Sequence, residues 1–353
     1  MTVVGLGLPS VATISSAPAT SAPADGPLID TFGRIATDLR VSLTDRCNLR
    51  CTYCMPAEGL DWLESDRLLR PAELTRLLRI AVTRLGITSV RFTGGEPLVA
   101  KHLEDVIAAT SSLRPRPEIT LTTNGVGLAR RAEALKRAGL RRINVSLDTV
   151  DPTRFAAITR RDRLSDVLAG LAAAKAAGLD PVKVNAVLDP ETGLDDAVAL
   201  LRFCLEHGYQ LRIIEQMPLD AGHAWERGRA LSADDILATL QQHFDLTPDT
   251  APRGSAPAEL WQVGGGGTVG IIASVSHAFC SACDRTRLTA DGQVRNCLFA
   301  RQETDLRLLM RSGADDAAVE AAWRAAMWAK AAGHGINDPG FVQPDRPMSA
   351  IGG

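Results

Sequence analysis

The stretch LRVSLTDRCNLRCTYC, residues 39–54, joins a short alternating run to three closely spaced cysteines. Side chains alternate across a strand, so Leu39, Val41 and Leu43 share one face of this run and Arg40, Ser42 and Thr44 share the other. A fully buried parallel strand would read as a near-continuous apolar run, and this one does not. Cys47, Cys51 and Cys54 follow at C-x3-C-x2-C spacing. They therefore occupy a loop at the carboxyl end of a strand, where α/β folds bind their ligands.

The same two-faced pattern recurs downstream. Strand-like runs are predicted at residues 39–44, 89–93, 119–123, 142–148, 182–188 and 211–217, with helical periods between them at 71–85, 129–138 and 164–177. Gly86, Gly139, Gly178 and Gly208 stand where helices should stop, because glycine accepts the left-handed cap conformation. Strand–helix units in series predict a parallel α/β sheet. Its polar faces would carry Arg91 and Thr93, then Thr120, Thr122 and Asn124, then Asn144, Ser146 and Asp148, then Lys183 and Asn185. The sixth run is less clean, with Arg212 and Gln216 opposite Glu215 and Met217. A closed eight-stranded barrel fills its interior with apolar side chains. Six strands with polar inner faces instead predict a partial (βα)6 barrel around a hydrophilic ligand, the alternative being an open sheet with one solvated face.

Composition sets the outer limits. The chain has 353 residues, which at roughly 150 per domain suggests about two domains. With 39 basic against 41 acidic residues and a net charge of −2, it does not coat polyanions by bulk charge. Aromatics at 4% argue against a base-stacking single-strand binder, so no nucleic-acid partner is expected. No apolar run approaches the roughly 20 residues of a membrane span. The Ala/Pro/Ser/Thr composition of residues 1–31 predicts a disordered N-terminal tail, with the barrel at 32–250 and a smaller C-terminal domain at 251–353. Seven cysteines, six of them in two tight groups, suit a reducing compartment. The first basic side chain is Arg34, so the charged start of a secretory signal is missing and a cytoplasmic location is expected.

Three thiolates in eight residues can hold three corners of a metal centre. Structural zinc takes four ligands, whereas three soft thiolates with one open corner favour an iron–sulfur cluster; zinc remains the alternative. Cys280, Cys283 and Cys297 form a second set, spaced C-x2-C-x13-C, which His277 could complete as half of a zinc ribbon. Arg285 and Arg287 alternate just beyond it and would share one strand face, as a polyphosphate clamp or as a solvated edge. Cys204, in an apolar helical run, reads as an ordinary buried thiol.

Cys47, Cys51 and Cys54, with Tyr53 before the last, resemble the CxxxCxxC signature of the radical S-adenosylmethionine superfamily, and Thr93-Gly94-Gly95-Glu96-Pro97 resembles its glycine-rich motif. The second cysteine set, the pair Arg285 and Arg287, and the end Met348-Ser-Ala-Ile-Gly352-Gly353 are together similar to the GTP 3′,8-cyclase family, from about Phe32 onward. Asp284 departs from the asparagine that many relatives carry there. The resemblance implies two [4Fe-4S] clusters, on Cys47, Cys51 and Cys54 and on Cys280, Cys283 and Cys297, each with one open iron. It implies S-adenosylmethionine contacts at Tyr53, Gly95, Ser146 and Met217, and GTP contacts at Arg40, Arg91, Thr122, Lys183, Arg285 and Arg287. Arg285 and Arg287, with Gly352 and Gly353 as a side-chain-free tip, would serve catalysis. The implied activity is the first step of molybdenum cofactor biosynthesis, in which hydrogen is removed from the ribose C3′ of GTP and that carbon bonds to guanine C8. An external electron donor and a downstream cyclic pyranopterin monophosphate synthase would be its partners, and the chain would act as a monomer or homodimer. Two alternatives stay open, another radical enzyme with an auxiliary cluster, such as a peptide modifier, and a zinc-stabilised binding module.

Overall fold

A computed structural model describes residues 21–352. Strands β1 (Asp38–Ser42), β2 (Ser89–Thr93), β3 (Glu118–Thr123), β4 (Arg142–Ser146), β5 (Val182–Val187) and β6 (Gln210–Ile214) lie parallel and side by side in chain order. Helices α1 (Pro71–Thr83), α2 (Leu103–Ser111), α3 (Ala132–Ala138), α4 (Pro152–Thr159), α5 (Leu164–Ala176) and α6 (Gly193–His207) occupy the connections. Helix α7 (Ala233–Gln241) follows β6, so six strand–helix units are present. Gly139 and Gly208 cap α3 and α6 with φ of 115° and 68°, the left-handed geometry that a side chain resists.

The later part of the chain lengthens this sheet at both edges. After β7 (Leu246–Pro248) and β8 (Glu259–Val263), strand β9 (Thr268–Ile272) lies parallel to β6, with β8 and β7 antiparallel beyond it. On the opposite edge β10 (Arg285–Leu288) lies parallel to β1, followed by antiparallel β11 (Gln293–Arg295) and β12 (Thr304–Asp305). The order runs β12-β11-β10-β1-β2-β3-β4-β5-β6-β9-β8-β7, so the sheet is one open arc and not a closed ring. The expected boundary at residue 250 does not interrupt it, because β7 pairs with β8 across that point. Helices α8 (Leu306–Arg311), α9 (Asp316–Trp328) and α10 (Met348–Ile351) complete the elements.

Alternation decides which face the helices cover. Leu39, Val41, Val90, Phe92, Ile119, Leu121, Ile143 and Val145 are fully buried in one core with the helices' apolar stripes, such as Leu74, Leu77, Leu78 and Ala81 of α1. The intervening polar side chains are left to the concave face. A second, smaller apolar cluster of Leu219, Val275, Phe299, Ile336 and Ile351 seats α10 at the mouth of the arc.

The expected tail needs a correction at its inner end; residues 1–20 of it lie outside the described residues. Leu28 has 0% exposure, its N–H reaches the Leu85 carbonyl at 3.3 Å, and its own carbonyl accepts from Ala36 at 2.7 Å. Asp30 is 1% exposed and ion-paired with Arg34 at 2.5 Å. Averaged composition hid one apolar and one charged residue that the fold uses. Leu28→Ala is expected to lower unfolding free energy by roughly 2–5 kcal/mol, the range for emptying a packed leucine site. Denaturant titration checks this, and an unchanged midpoint would return this segment to the status of a loose tail.

Candidate active site

The concave face encloses a cavity of about 390 Å³, and all six clustered cysteines line it. Cys47, Cys51 and Cys54 lie on the loop after β1; Cys280 and Cys283 lie just before β10, and Cys297 follows β11. Parallel pairing of β10 with β1 brings the two sets, far apart in sequence, into one chamber. Every cysteine is a free thiol. Burial pushes the Cys47 and Cys51 thiols up, Cys51 further because of Asp148 and its neighbouring cysteines, and lifts Cys54 to about 12. Thiolates there need a bound cation to offset them. Cys204, in contrast, is buried in the helical core, away from the chamber, at about 12 through burial alone.

Gly94 and Gly95 allow the first loop its position: a Cβ on Gly94 would stand 2.4 Å from the Thr44 carbonyl oxygen. A Cβ on Gly95 would stand 2.3 Å from the Asp45 carbonyl oxygen and 2.4 Å from that of Arg46. The backbone seals this contact, with the Gly95 N–H donating to Thr44 at 2.7 Å and the Glu96 N–H to Arg46 at 2.8 Å. Glu96 accepts from Thr123 at 2.6 Å, from the Asn124 N–H at 2.7 Å and from the Leu98 N–H at 2.9 Å, while burial raises its carboxyl to about 7. On the other side the Tyr53 hydroxyl donates to Asp148 at 2.7 Å, and burial lifts that carboxyl to about 6. Tyr53, Gly95, Ser146 and Met217 all line the cavity.

Strand register concentrates positive charge on the floor. Arg40 sits opposite Arg91 on one side and Arg287 on the other, and Asp38 sits opposite Arg285. The carboxylate of Asp38 lies 3.8 Å from Arg40 and 3.9 Å from Arg285, a loose pairing for so many cations. Burial, reinforced by neighbouring cations, lowers Arg91 and Arg287 to about 9 and Arg212 to about 10. Two unit charges a strand spacing apart, about 5 Å, repel by about 3 kcal/mol at an effective dielectric of about 20. The Nε atoms of Arg40, Arg91, Arg212 and Arg285 are buried without a hydrogen-bond partner, as are Oδ1 of Asn144 and of Asn185. A chamber of crowded buried cations and amides, with polar atoms left without hydrogen-bond partners, fits a polyanionic ligand with hydrogen-bonding edges.

Not every expected residue meets the chamber in the same way. Thr122, Arg40, Arg91, Arg285 and Arg287 line it. Lys183 lies outside the lining but is buried next to Asn144 in register, and burial with Arg212, Arg142 and Arg91 lowers its amine to about 7. Gly352, at φ of 82°, sits so close to Ser42 and Thr93 that a Cβ would approach their hydroxyls to 2.3 and 2.4 Å. Its carbonyl accepts from Arg287 at 2.5 Å. Gly353 lies outside the described residues. His277 does not join the cysteines; it is exposed, 3.9 Å from Asp234.

The sequence reading left out three groups that the structure brings in. Arg212, noted only as the polar side of an unclear strand, pairs with Asn185 and lines the cavity. His334 lines it too, with one ring nitrogen against the Ser274 carbonyl at 3.1 Å and the other accepting from the Ile336 N–H at 3.1 Å. Phe279 carries Arg285 over its ring at 5.4 Å. Only for Arg212 did the alternation hold a usable signal.

An open parallel arc with a three-thiol loop at its first strand and a glycine-rich turn after its second defines a radical S-adenosylmethionine enzyme. The family model "Radical SAM superfamily" matches residues 41–204, and "Molybdenum Cofactor Synthesis C" matches residues 209–336. A GTP 3′,8-cyclase of Mycolicibacterium smegmatis is 78% identical over 361 residues, covering 100% of both chains. One of Mycobacterium marinum is 74% identical over 360 residues, again covering 100% of both. The chain belongs to the GTP 3′,8-cyclase family. Among solved structures, Streptococcus suis SuiB bound to S-adenosylmethionine shares the fold at a TM-score of 0.55 and 14% identity, covering 82% of this chain and 70% of that one.

The thiols fit the clusters this class carries. Among the described residues no three or more His, Cys, Asp or Glu side chains close on a point as a single ion requires. Three free thiols in each set, all lining one chamber, are the soft donor set that an iron–sulfur core takes. Gly95→Ala is expected to displace the backbone at Asp45 and Arg46 and to cost the first set its iron, about half of the total in reconstituted protein. Iron and sulfide analysis reads this directly, and a full complement would mean the close approach is not needed.

Proposed function

We propose that this chain converts GTP to (8S)-3′,8-cyclo-7,8-dihydroguanosine 5′-triphosphate, the first step of molybdenum cofactor biosynthesis. The observation that carries the reading is the row Arg287–Arg40–Arg91 on the floor of a chamber walled by two three-thiol sets. Cys47, Cys51 and Cys54 would hold one [4Fe-4S] cluster, and Cys280, Cys283 and Cys297 the other. When bound, the first cluster and S-adenosylmethionine supply the one-electron and radical chemistry, with the electron coming from an external donor.

This chain's own residues bind, orient and exclude water. Tyr53, fixed by Asp148, with Gly95, Ser146 and Met217, surrounds the space beside the first cysteine set. Arg40, Arg91, Thr122, Lys183, Arg285 and Arg287 would take the triphosphate and sugar, and Arg212 joins them. Fork-shaped guanidiniums suit phosphate oxygens, and several together replace the hydration that the anion loses. Arg287 is aimed by the Gly352 carbonyl, and the Ser255 carbonyl accepts from Arg285 at 2.8 Å. With a position this exact, ribose and guanine can be held so that C3′ faces C8, and orientation supplies much of the rate. The apolar cluster around Ile351 and Leu219 packs beside the cavity, with Leu219 and Phe299 in its lining, and would limit water on that side.

Residues 32–250 would thus act as the barrel and 251–353 as the part carrying the second cluster and the tip of Gly352 and Gly353. The product would pass to a cyclic pyranopterin monophosphate synthase. One chain supplies every residue named, so a monomer or homodimer suffices. Among the described residues no helix is long and apolar enough to cross a membrane. Seven free thiols suit the reducing cytoplasm proposed for it.

Anaerobically reconstituted protein given GTP, S-adenosylmethionine and dithionite is expected to yield the cyclised nucleotide with one 5′-deoxyadenosine per turnover. Iron-loaded protein that leaves GTP untouched would refute the assignment. The amine of Lys183 adds a pH signature. Its value near 7 in the free protein, against an ordinary 10.5, rises when a polyanion binds, so binding takes up a proton from about pH 7 upward. GTP affinity should be flat from this group below pH 7 and fall as pH rises above it. Calorimetry in buffers of different ionisation heat measures the uptake. Lys183→Met should bind more weakly and lose that component; equal uptake in the variant would assign it to another group.

A further inference from the structure

Lys330 is the one buried lysine among the described residues that touches a cysteine of either set. It follows the end of α9, is 4% exposed, and reaches the Cys283 sulfur at 3.4 Å. The same Nζ donates to the Cys283 carbonyl at 3.2 Å and to the Arg285 carbonyl at 3.0 Å. An ammonium has three donors, and all three point at the short segment that runs from a cluster thiol to a substrate guanidinium. Arg285 closes the loop with an Nη1 contact of 3.8 Å to the same sulfur.

The turn that carries Lys330 is itself clamped. Arg34 donates to the Ala331 carbonyl at 2.6 Å, to the Ala332 carbonyl at 2.8 Å and to the Cys280 carbonyl at 2.8 Å, while Asp30 holds its Nε at 2.5 Å. A salt-bridged strap from the start of the described chain thus fixes Lys330 and Cys280 to one another. The first cysteine set has a different donor, since the Cys47 sulfur is approached at 3.7 Å by the neutral amide of Asn124.

We propose that Lys330 is a positioning residue for the second cluster. It holds the Cys283 sulfur and the Arg285 backbone in one geometry and places a positive charge on that sulfur alone. The inference rests on the reading that Cys280, Cys283 and Cys297 hold a [4Fe-4S] cluster. A cationic donor on a ligand sulfur favours the more negative, reduced cluster and raises its potential, because net charge and sulfur hydrogen bonds set that potential. The first cluster, with its neutral donor, stays out of this effect. The tie to Arg285 also predicts that GTP binding feels the loss.

The test is Lys330→Met in reconstituted full-length protein, read by spectroelectrochemical titration of both clusters and by GTP affinity. Wild-type protein without iron on the second set would refute the cluster reading itself, apart from Lys330. With both clusters loaded, the variant should show a lower second-cluster potential. The expected size is about a tenfold smaller reduced fraction at fixed potential, or about 59 mV for one electron. The first-cluster potential should not move, and GTP binding should weaken severalfold. An unchanged second-cluster potential overturns the proposal. If the methionine variant fails to load its second cluster, Lys330→Arg decides: recovery of iron and potential supports a charged donor, and failure to recover either overturns it.

Discussion

The constraint on which the structure turns is positive charge that the strand register cannot disperse. Pairing β10 with β1 and β1 with β2 sets Arg287, Arg40 and Arg91 shoulder to shoulder. Asp38 is the carboxylate among them, and its contacts are long. A one-residue slip cannot relieve this, because it would turn Leu39, Val41, Val90 and Phe92 out of the helix-covered core. The apolar face therefore fixes the crowding on the polar face. A ligand carrying several negative charges is the physical resolution, and it makes the free chamber electrostatically expensive in proportion to its fitness for triphosphate.

Around that floor the chain builds walls from distant segments. The first cysteine loop rests on bare glycine backbone, the second is gripped by Lys330 and Arg34, and the C-terminal turn slots Gly352 between two hydroxyls. Each contact is one that a side chain, or its loss, would spoil. The chemistry belongs to groups the protein binds, so the fold's contribution is position. Close backbone packing and buried charge–carbonyl contacts are the means by which a soft chain holds sulfur and guanidinium to small tolerances.

Much of this was legible in the order of residues. Alternation located the six strands to within a few residues and assigned Arg40, Arg91, Thr122, Asn144 and Ser146 to the inner face, because the two-residue period needs no tertiary information. Cysteine spacing marked both thiol sets that line the chamber. The reading failed where the deciding partner was remote. No local pattern marks Lys330, Asp30 disappeared into a low-complexity average, and His277 stood closer in sequence to the cysteines than it does in space. Residues after 250 read as a smaller domain; its strands β9 and β10 continue the sheet of the first part, a pairing that composition does not show.

The sequence by itself determined the strand faces, the two thiol sets and the family, since each depends on residue type at short, fixed spacing. The tertiary structure alone decided which strands became neighbours. That choice brought β10 beside β1, merged two cysteine sets into one chamber and aligned three arginines in a row. Pairing across more than two hundred residues is set by global burial of apolar surface, and no local pattern encodes it.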